Sequence, residues 1–218
     1  MHSLLKKLDK RADLYVVGIC GGSSSGKTTI VNSMLKIIGR RNACVIQHDW
    51  YYKDKSYLDI NKRQHLNYDS PTALDNKLFA SQVKSLIDGN KIYAPIYDYY
   101  KHCRKDGTNL IRPKKLIFIE GILIFKDEQI ARLLDLKIFI DVPPDIRLSR
   151  RINRDLVERG RSGDSVITQY FSKVEPMHIK YVEPFKNIAD LVVDNKGDGV
   201  NLSSRQILDF IKGKIRNK

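Results

Sequence analysis

Gly21-Gly22-Ser23-Ser24-Ser25-Gly26-Lys27-Thr28 fits the pattern G-x-x-x-x-G-K-[ST], and it stands between an apolar run, Leu14 to Cys20, and an apolar helical pattern, Thr28 to Ile38. Strand, glycine-serine loop and helix in that order make a phosphate cradle. Glycine carries no Cβ penalty at positive φ, so the loop can turn several backbone N–H groups onto one anion at the positive end of the following helix. Gly21, Gly22, Ser23, Ser24, Ser25, Gly26, Lys27, Thr28 and the adjoining Thr29 are therefore the expected contacts of a nucleoside triphosphate. Lys27 is expected to reach the β and γ oxygens, and the Thr28 hydroxyl to hold Mg²⁺.

Four more short apolar runs read as buried strands: Ala43 to Gln47, Leu116 to Glu120, Leu136 to Val142 and Ala189 to Val193. Helical spacing separates most of them. Val31, Met34, Leu35 and Ile38 recur in the first helix, which stops at Gly39, and Leu74, Leu78, Val83 and Ile87 recur over Ala73 to Ile87. Ser203 to Ile215 closes the chain with Ile207, Leu208, Ile211 and Ile215 on one face. Alternating strand and helix predicts an α/β domain spanning residues 1–218, with a five-stranded parallel sheet flanked by helices.

Two stretches break the alternation. Ile92 to Lys115 alternates apolar with polar residues, is rich in Tyr and contains Lys105-Asp106-Gly107-Thr108 as a turn, which predicts an inserted β-hairpin flap over 92–115. Asp145 to Arg161, opened by Pro143-Pro144, predicts a lid helix. Arg147, Arg150, Arg151 and Arg154 make one face, while Leu148, Ile152 and Leu156 make an apolar stripe expected to dock on the core.

Lys and Arg exceed Asp and Glu by 39 to 25, a formal charge of +14 that attracts phosphates, nucleic acid or anionic membranes without choosing between them. Cys20, Cys44 and Cys103 lack metal spacing, and the first two sit in apolar runs, so a reduced, cytoplasmic compartment is expected. Met1 to Asp13 is too charged for a signal peptide, and no stretch approaches a membrane span.

Phosphoryl transfer proceeds through a loose transition state, so the protein's task is to position the reactants and supply positive charge. Lys27 and Mg²⁺ are expected to cover one side of the triphosphate and the arginine face, with Arg159 and Arg161 just beyond it, to close over the other, Arg154 and Arg159 joining Lys27 as expected catalytic residues. Arginine suits this because its planar fork pairs two oxygens and stays charged. In open parallel sheets the reacting groups lie past the carboxyl ends of strands. Asp49 follows one strand and Glu120 ends another, so Asp49 is the expected base, and Thr28, Asp49 and Glu120 the expected Mg²⁺ set. Without the phosphate loop, either carboxylate would read as a helix N-cap. Asn195-Lys196-Gly197-Asp198 matches the N-K-x-D pattern that reads guanine in regulatory GTPases, but the Asp-x-x-Gly switch is replaced by Glu120-Gly121-Ile122-Leu123. The tetrad is read as a base-side loop or an accident.

Together these residues resemble the uridine kinase (uridine-cytidine kinase) family of P-loop nucleoside kinases, from about Tyr15 to the final helix. Besides the phosphate loop, the likeness rests on Gln47-His48-Asp49-Trp50-Tyr51-Tyr52-Lys53, Asn67-Tyr68-Asp69-Ser70-Pro71, Tyr97 to Arg104, Glu120 to Leu123, Arg154 to Arg161, Gln169-Tyr170 and Glu183-Pro184. The resemblance implies the P-loop kinase fold and transfer of the γ-phosphoryl group of ATP to the 5′-hydroxyl of uridine or cytidine. It implies that Asp69 binds ribose hydroxyls, that Arg151 and Gln169 lie near the ribose, and that Tyr97 and His102 bond the pyrimidine. Tyr52, Tyr68, Tyr99 and Arg161 complete the expected acceptor contacts, since a flap of Tyr and His residues can sandwich a planar base and read its edge. Tyr100 is expected on the opposite face from Tyr99. A homotetramer is implied as well, with no nucleic-acid or membrane partner. Ser70 stands where the family commonly has His, Glu175 where it has a basic residue, and the Asn195 to Asp198 loop departs from its arginine-glycine pair. These departures leave ribose selectivity and the choice between ATP and GTP open. Three other readings stay in view: a related P-loop kinase of nicotinamide riboside or phosphoribulose, a GTP-binding switch, and a basic RNA-binding module.

Overall fold

A computed structural model of the chain describes residues 14–197 and 199–216. The charged segment Met1 to Asp13 and Asp198 of the N-K-x-D match lie outside the described residues. The strands are β1 (Tyr15–Gly21), β2 (Ala43–Gln47), β3 (Ile92–Asp98), β4 (Cys103–Ile111), β5 (Leu116–Glu120), β6 (Leu136–Asp141) and β7 (Leu191–Asp194). The α-helices are α1 (Lys27–Ile38), α2 (Ile60–Gln64), α3 (Asn76–Ile87), α4 (Glu128–Ala131), α5 (Pro144–Arg159), α6 (Gly163–Gln169), α7 (Glu175–Tyr181) and α8 (Val200–Arg216).

Five strands form one parallel sheet in the order β2-β5-β1-β6-β7. Every residue of β1 and β5 is buried, as it must be when helices cover both faces of a sheet. Alternate side chains feed two cores. Val16 and Cys20 point to the face packed with Phe79, Val83 and Leu86 of α3; Val17 and Ile19 point to the face packed with Val31, Met34 and Leu35 of α1 and Ile207, Leu208 and Ile211 of α8. The register pairs Glu120 with Ile19 on one side and with Gln47 on the other. The carboxyl ends of β1, β2 and β5 therefore stop side by side, and whatever follows them converges.

Three expectations are corrected. The second predicted helix begins at Asn76, not Ala73, because Pro71–Ala73 is a 3-10 turn capped by Ser70 and because the Asp75 side chain accepts from the Leu78 N–H at 3.2 Å. Its buried face is Phe79, Ala80, Val83 and Leu86, while Leu74 is buried ahead of it in a bridge to Tyr52. In the flap, Lys105 to Thr108 is not the turn. Pro95 pairs with Thr108 and Ile96 with Lys105, so Asp106 and Gly107 are extra residues bulged from β4, with Gly107 at φ +87°. Pro95 has no N–H for the ladder, and the bulge falls beside it. The chain reverses instead at Tyr99 to His102, where Asp98 Oδ1 accepts from the N–H groups of Tyr100 and Lys101, each at 2.9 Å.

The third correction is the largest. Helix α5 does not bury its apolar stripe: Arg147, Arg151 and Asp155 are its buried residues, whereas Leu148 and Ile152 are half-buried, Leu156 is 45% exposed and the neighbouring Val157 85% exposed. Asp155 supplies the reason, described with the site below. Substituting Phe79 by Ala should cost about 3–5 kcal/mol in chemical denaturation, whereas Val157→Asn should stay within about 0.5 kcal/mol of the parent. A large loss at Val157 would contradict the observed orientation of α5.

Candidate active site

The loop between β1 and α1 is closed by the Ser25 N–H donating to the Gly22 carbonyl at 3.1 Å. Gly26, at φ +88°, leads into α1, whose first turn has no side-chain cap and so keeps its N–H groups free for an anion. Lys27 Nζ donates to the Gly21 and Gly22 carbonyls at 3.0 and 2.8 Å, folding the ammonium back over its own loop. From the far side, the buried Asn195 donates to the Ser25 carbonyl at 2.9 Å and accepts from the Ser203 hydroxyl at 3.3 Å. A Cβ on Gly26 would lie 2.6 Å from Asn195 Nδ2, so the glycine and the asparagine fit only as a pair. The first residue of the N-K-x-D match thus braces the phosphate loop. Lys196 pairs with Asp194 at 2.8 Å, and Arg150 of α5 donates to the Lys196 and Gly197 carbonyls.

Thr28 Oγ1 donates to Glu120 Oε1 at 2.7 Å. Burial pushes the Glu120 carboxyl up to about 7, against the pull of Lys27 and Thr28 in the other direction. Asp49, just past β2, has a buried Oδ1 with no hydrogen-bond partner among the described residues. Ser24, Lys27, Thr28, Thr29, Asp49, Glu120 and Arg154 line one cavity on the phosphate side. Thr28, Asp49 and Glu120 offer hard oxygen donors with one carboxylate oxygen unclaimed, a set that fits Mg²⁺ when phosphate oxygens complete it. No cluster of three or more His, Cys, Asp or Glu that could hold a metal occurs among the described residues, so a cation here would depend on the hydroxyl and the ligand.

A second cavity adjoins the first. Asp49, Tyr52, Tyr68, Asp69, Tyr97, Tyr99, His102, Arg151, Arg161 and Gln169, the residues expected on the acceptor side, all line it, together with Ser23, Ile122, Arg154 and Arg159. Tyr68 stacks on His102 at 5.0 Å with planes 20° apart, Tyr52 and Tyr97 lie 5.1 Å apart, and the Arg159 guanidinium sits 5.0 Å over the Tyr99 ring. Burial, helped by Arg159 and Arg161, pulls His102 down to about 4. Its ring is neutral near pH 7 and presents one donor and one acceptor. Burial also raises Asp69, opposed by Arg151. Tyr100 is 63% exposed and packs against Gly160, outside the acceptor cavity. Ser70 also lies off that wall, capping the turn at Pro71.

The roof of this cavity is arginine held by one carboxylate. Asp155, fully buried, lies 2.8 Å from Arg154, 3.5 Å from Arg159 and Arg161 and 3.6 Å from Arg151. Burial alone would push its carboxyl up, but Arg154, Arg159 and Arg151 together hold it below the ordinary value. Arg151 donates to the Ser23 hydroxyl at 2.8 Å and to Gln169 at 3.0 Å, and Arg161 also bonds Gln169. Like charges on this helix are therefore compensated from within it. Asp155 and Asn195 are the organising residues that sequence reasoning missed. The signal for Asp155 was its place four residues after Arg151 and four before Arg159.

A family model described as the Phosphoribulokinase / Uridine kinase family matches residues 16–200. A uridine kinase from Geobacillus kaustophilus is 42% identical over 201 residues, covering 92% of this chain and 93% of that protein. One from Brevibacillus brevis is 42% identical over 202 residues, covering 93% and 92%. A solved structure titled a possible uridine kinase from Bacillus stearothermophilus superposes with a TM-score of 0.61 at 20% identity, covering 88% of this chain and 96% of that one, a likeness of fold. Among the described residues no helix is long and apolar enough to cross a membrane.

The buried histidines make the chain acid-sensitive. His102 is held down to about 4 and His178, half-buried beside Arg147 and Lys27, to about 3, and burial also lowers the fully buried His48. Between the ordinary histidine value near 6.5 and those values, the unfolded chain binds protons that the folded chain refuses, so stability is lost as pH falls. Glu120, raised to about 7, works the other way, because the folded chain takes up that proton first, so the histidine share is read by comparison: His102→Asn should lose less melting temperature from pH 7 to pH 4.5 than the wild type. An identical pH dependence in the two chains would contradict the buried, neutral state of the His102 ring.

Proposed function

From its membership of the phosphoribulokinase/uridine kinase family, to which the chain belongs by the matches above, we propose that it transfers the γ-phosphoryl group of ATP or GTP to the 5′-hydroxyl of uridine or cytidine, giving UMP or CMP. The observation that carries the reading is that Asp49, Arg154 and Arg159 line both cavities at once, so donor and acceptor would meet at a carboxylate and two guanidiniums. Asp49 takes the proton from the 5′-hydroxyl as that oxygen bonds to the γ phosphorus, and the bond from phosphorus to the β-side oxygen breaks. Lys27 and the loop N–H groups receive the charge that grows on the leaving oxygen, while Arg154 and Arg159 face the transferring group. Thr28, Asp49 and Glu120 would hold Mg²⁺, which would supply charge neutralisation for the phosphate chain. On the acceptor side Asp69 accepts from ribose hydroxyls, Arg151, Arg161 and Gln169 shape the ribose end, and Tyr97 and neutral His102 bond the pyrimidine between the rings of Tyr52, Tyr68 and Tyr99. Tetrameric assembly and a cytoplasmic location belong to the same reading.

A coupled assay of nucleoside diphosphate release over a panel of uridine, cytidine, nicotinamide riboside and ribulose 5-phosphate, with ATP and then GTP, tests the assignment. Phosphorylation of uridine or cytidine is the expected result; activity confined to the other two acceptors would reassign the chain within its family. Asp49→Asn should lower turnover by about 10²-fold or more while nucleoside binding persists, the usual scale of general-base loss. Glu120 gives a second handle. With its carboxyl up at about 7, it is largely protonated at pH 6.5 and must ionise to take a cation, so adding Mg²⁺ with nucleotide should release protons. Calorimetry in buffers of different ionisation enthalpy, with the Mg²⁺–nucleotide complex formed beforehand so that the nucleotide's own protons are already displaced, reads that release, and Glu120→Gln should lower it.

A further inference from the structure

His102 stands where the backbone calls for a glycine. It ends the reversal Tyr99 to His102 with φ +50°, and among the described residues other than glycine only Ser24 shares a positive φ. A residue with a Cβ keeps this conformation only where its surroundings enforce it, and such residues gather at functional sites. The His102 ring lines the acceptor cavity, 9% exposed and stacked on Tyr68.

Two side chains hold the peptide groups on which that angle depends. Asp98 Oδ1 accepts from the Lys101 N–H at 2.9 Å, which fixes the peptide plane before Lys101. Arg63 Nη1 donates to the Lys101 carbonyl at 2.7 Å, which fixes the plane between Lys101 and His102. Because a peptide group is planar, the direction of that carbonyl sets the direction of the His102 N–H and limits rotation about the bond that follows.

Arg63 reaches this point from outside the site. It belongs to α2, which buries none of its residues, and it lines neither the acceptor cavity nor the phosphate cavity. Its own carbonyl accepts from the Tyr68 hydroxyl at 3.1 Å. One residue is therefore bonded to both members of the stacked pair, to Tyr68 directly and to His102 through the peptide before it. The contact has a cost, since Arg63 Nε is shielded from solvent and has no partner among the described residues.

We infer that Arg63 is a positioning residue for recognition of the acceptor's base: without touching the nucleoside, its guanidinium holds the Lys101 carbonyl, and through it the His102 ring, in the orientation that meets the pyrimidine edge. The inference rests on the acceptor reading of the cavity given above.

The test is a double-mutant cycle read in binding. Uridine and, separately, ADP are titrated by calorimetry into four chains: the wild type; Arg63→Met, which keeps the stem and lacks the donor; His102→Gly, which lacks the ring and suits the positive φ; and the double variant. Arg63→Met should bind uridine about tenfold more weakly, the scale of one lost hydrogen bond, and should bind ADP as the wild type does. In the His102→Gly background the same substitution should leave uridine affinity unchanged, because no ring remains to be placed. Wild-type uridine affinity in Arg63→Met, the same uridine loss in both backgrounds, or a matching loss for ADP would each overturn the inference while leaving the acceptor site standing. Failure of the wild-type chain to bind uridine would overturn the acceptor reading and the inference with it.

Discussion

One buried carboxylate sets the architecture of the catalytic face. Asp155 faces Arg151, Arg154, Arg159 and Arg161, which lie between 2.8 and 3.6 Å from it. Turning the helix over would separate Asp155 from its partners, and an uncompensated buried charge costs about 3–5 kcal/mol. The helix therefore turns its guanidiniums inward and gives Leu156 and Val157 to solvent. Four positive groups around one negative group still leave an excess of positive charge at the roof of both cavities, where transferred phosphate would bring negative charge.

That roof is tied to the floor through Ser23. The serine belongs to the phosphate loop, yet its hydroxyl accepts from Arg151, whose other nitrogen holds Gln169 in the acceptor wall. Residues lining the two cavities are thus fixed to one another. Preorganised dipoles and charges of this kind stabilise a transition state without reorganising when it forms. Lys27 is preorganised in a different manner. Its ammonium rests on the Gly21 and Gly22 carbonyls, so the loop supplies a place for the charge before any anion arrives, and burial lowers its pKa against the pull of Glu120 and Asp49.

Asn195 shows how a short sequence match can carry a different meaning from the one its pattern suggests. In this chain its amide spans from the Ser25 carbonyl to the Ser203 hydroxyl and fills the space that a side chain at Gly26 would need. The asparagine is accounted for by the shape of the phosphate loop, with no guanine required. Family membership and the acceptor cavity leave the GTP-switch reading without support.

Residue order alone specified the parallel sheet, since the five apolar runs and the intervening helical patterns are local signals that burial on both faces demands. It also marked the phosphate loop and the carboxylates at strand ends, because a parallel sheet brings such ends together whatever the side chains elsewhere. Tertiary structure decided the rest. The flap reverses at Tyr99 to His102 because the Gly107 turn signal was absorbed by a bulge opposite a proline, and which of two breaks becomes a hairpin depends on cross-strand register. The arginine helix faces inward because its charges meet Asp155 close by in sequence and Ser23 and Gln169 far from it, and no periodicity of apolar residues encodes either the ion pairs of Asp155 or the hydrogen bonds that Arg151 closes across 128 and 18 positions. Local propensity names the elements; which face of each is buried is settled by the partners that only the folded chain assembles.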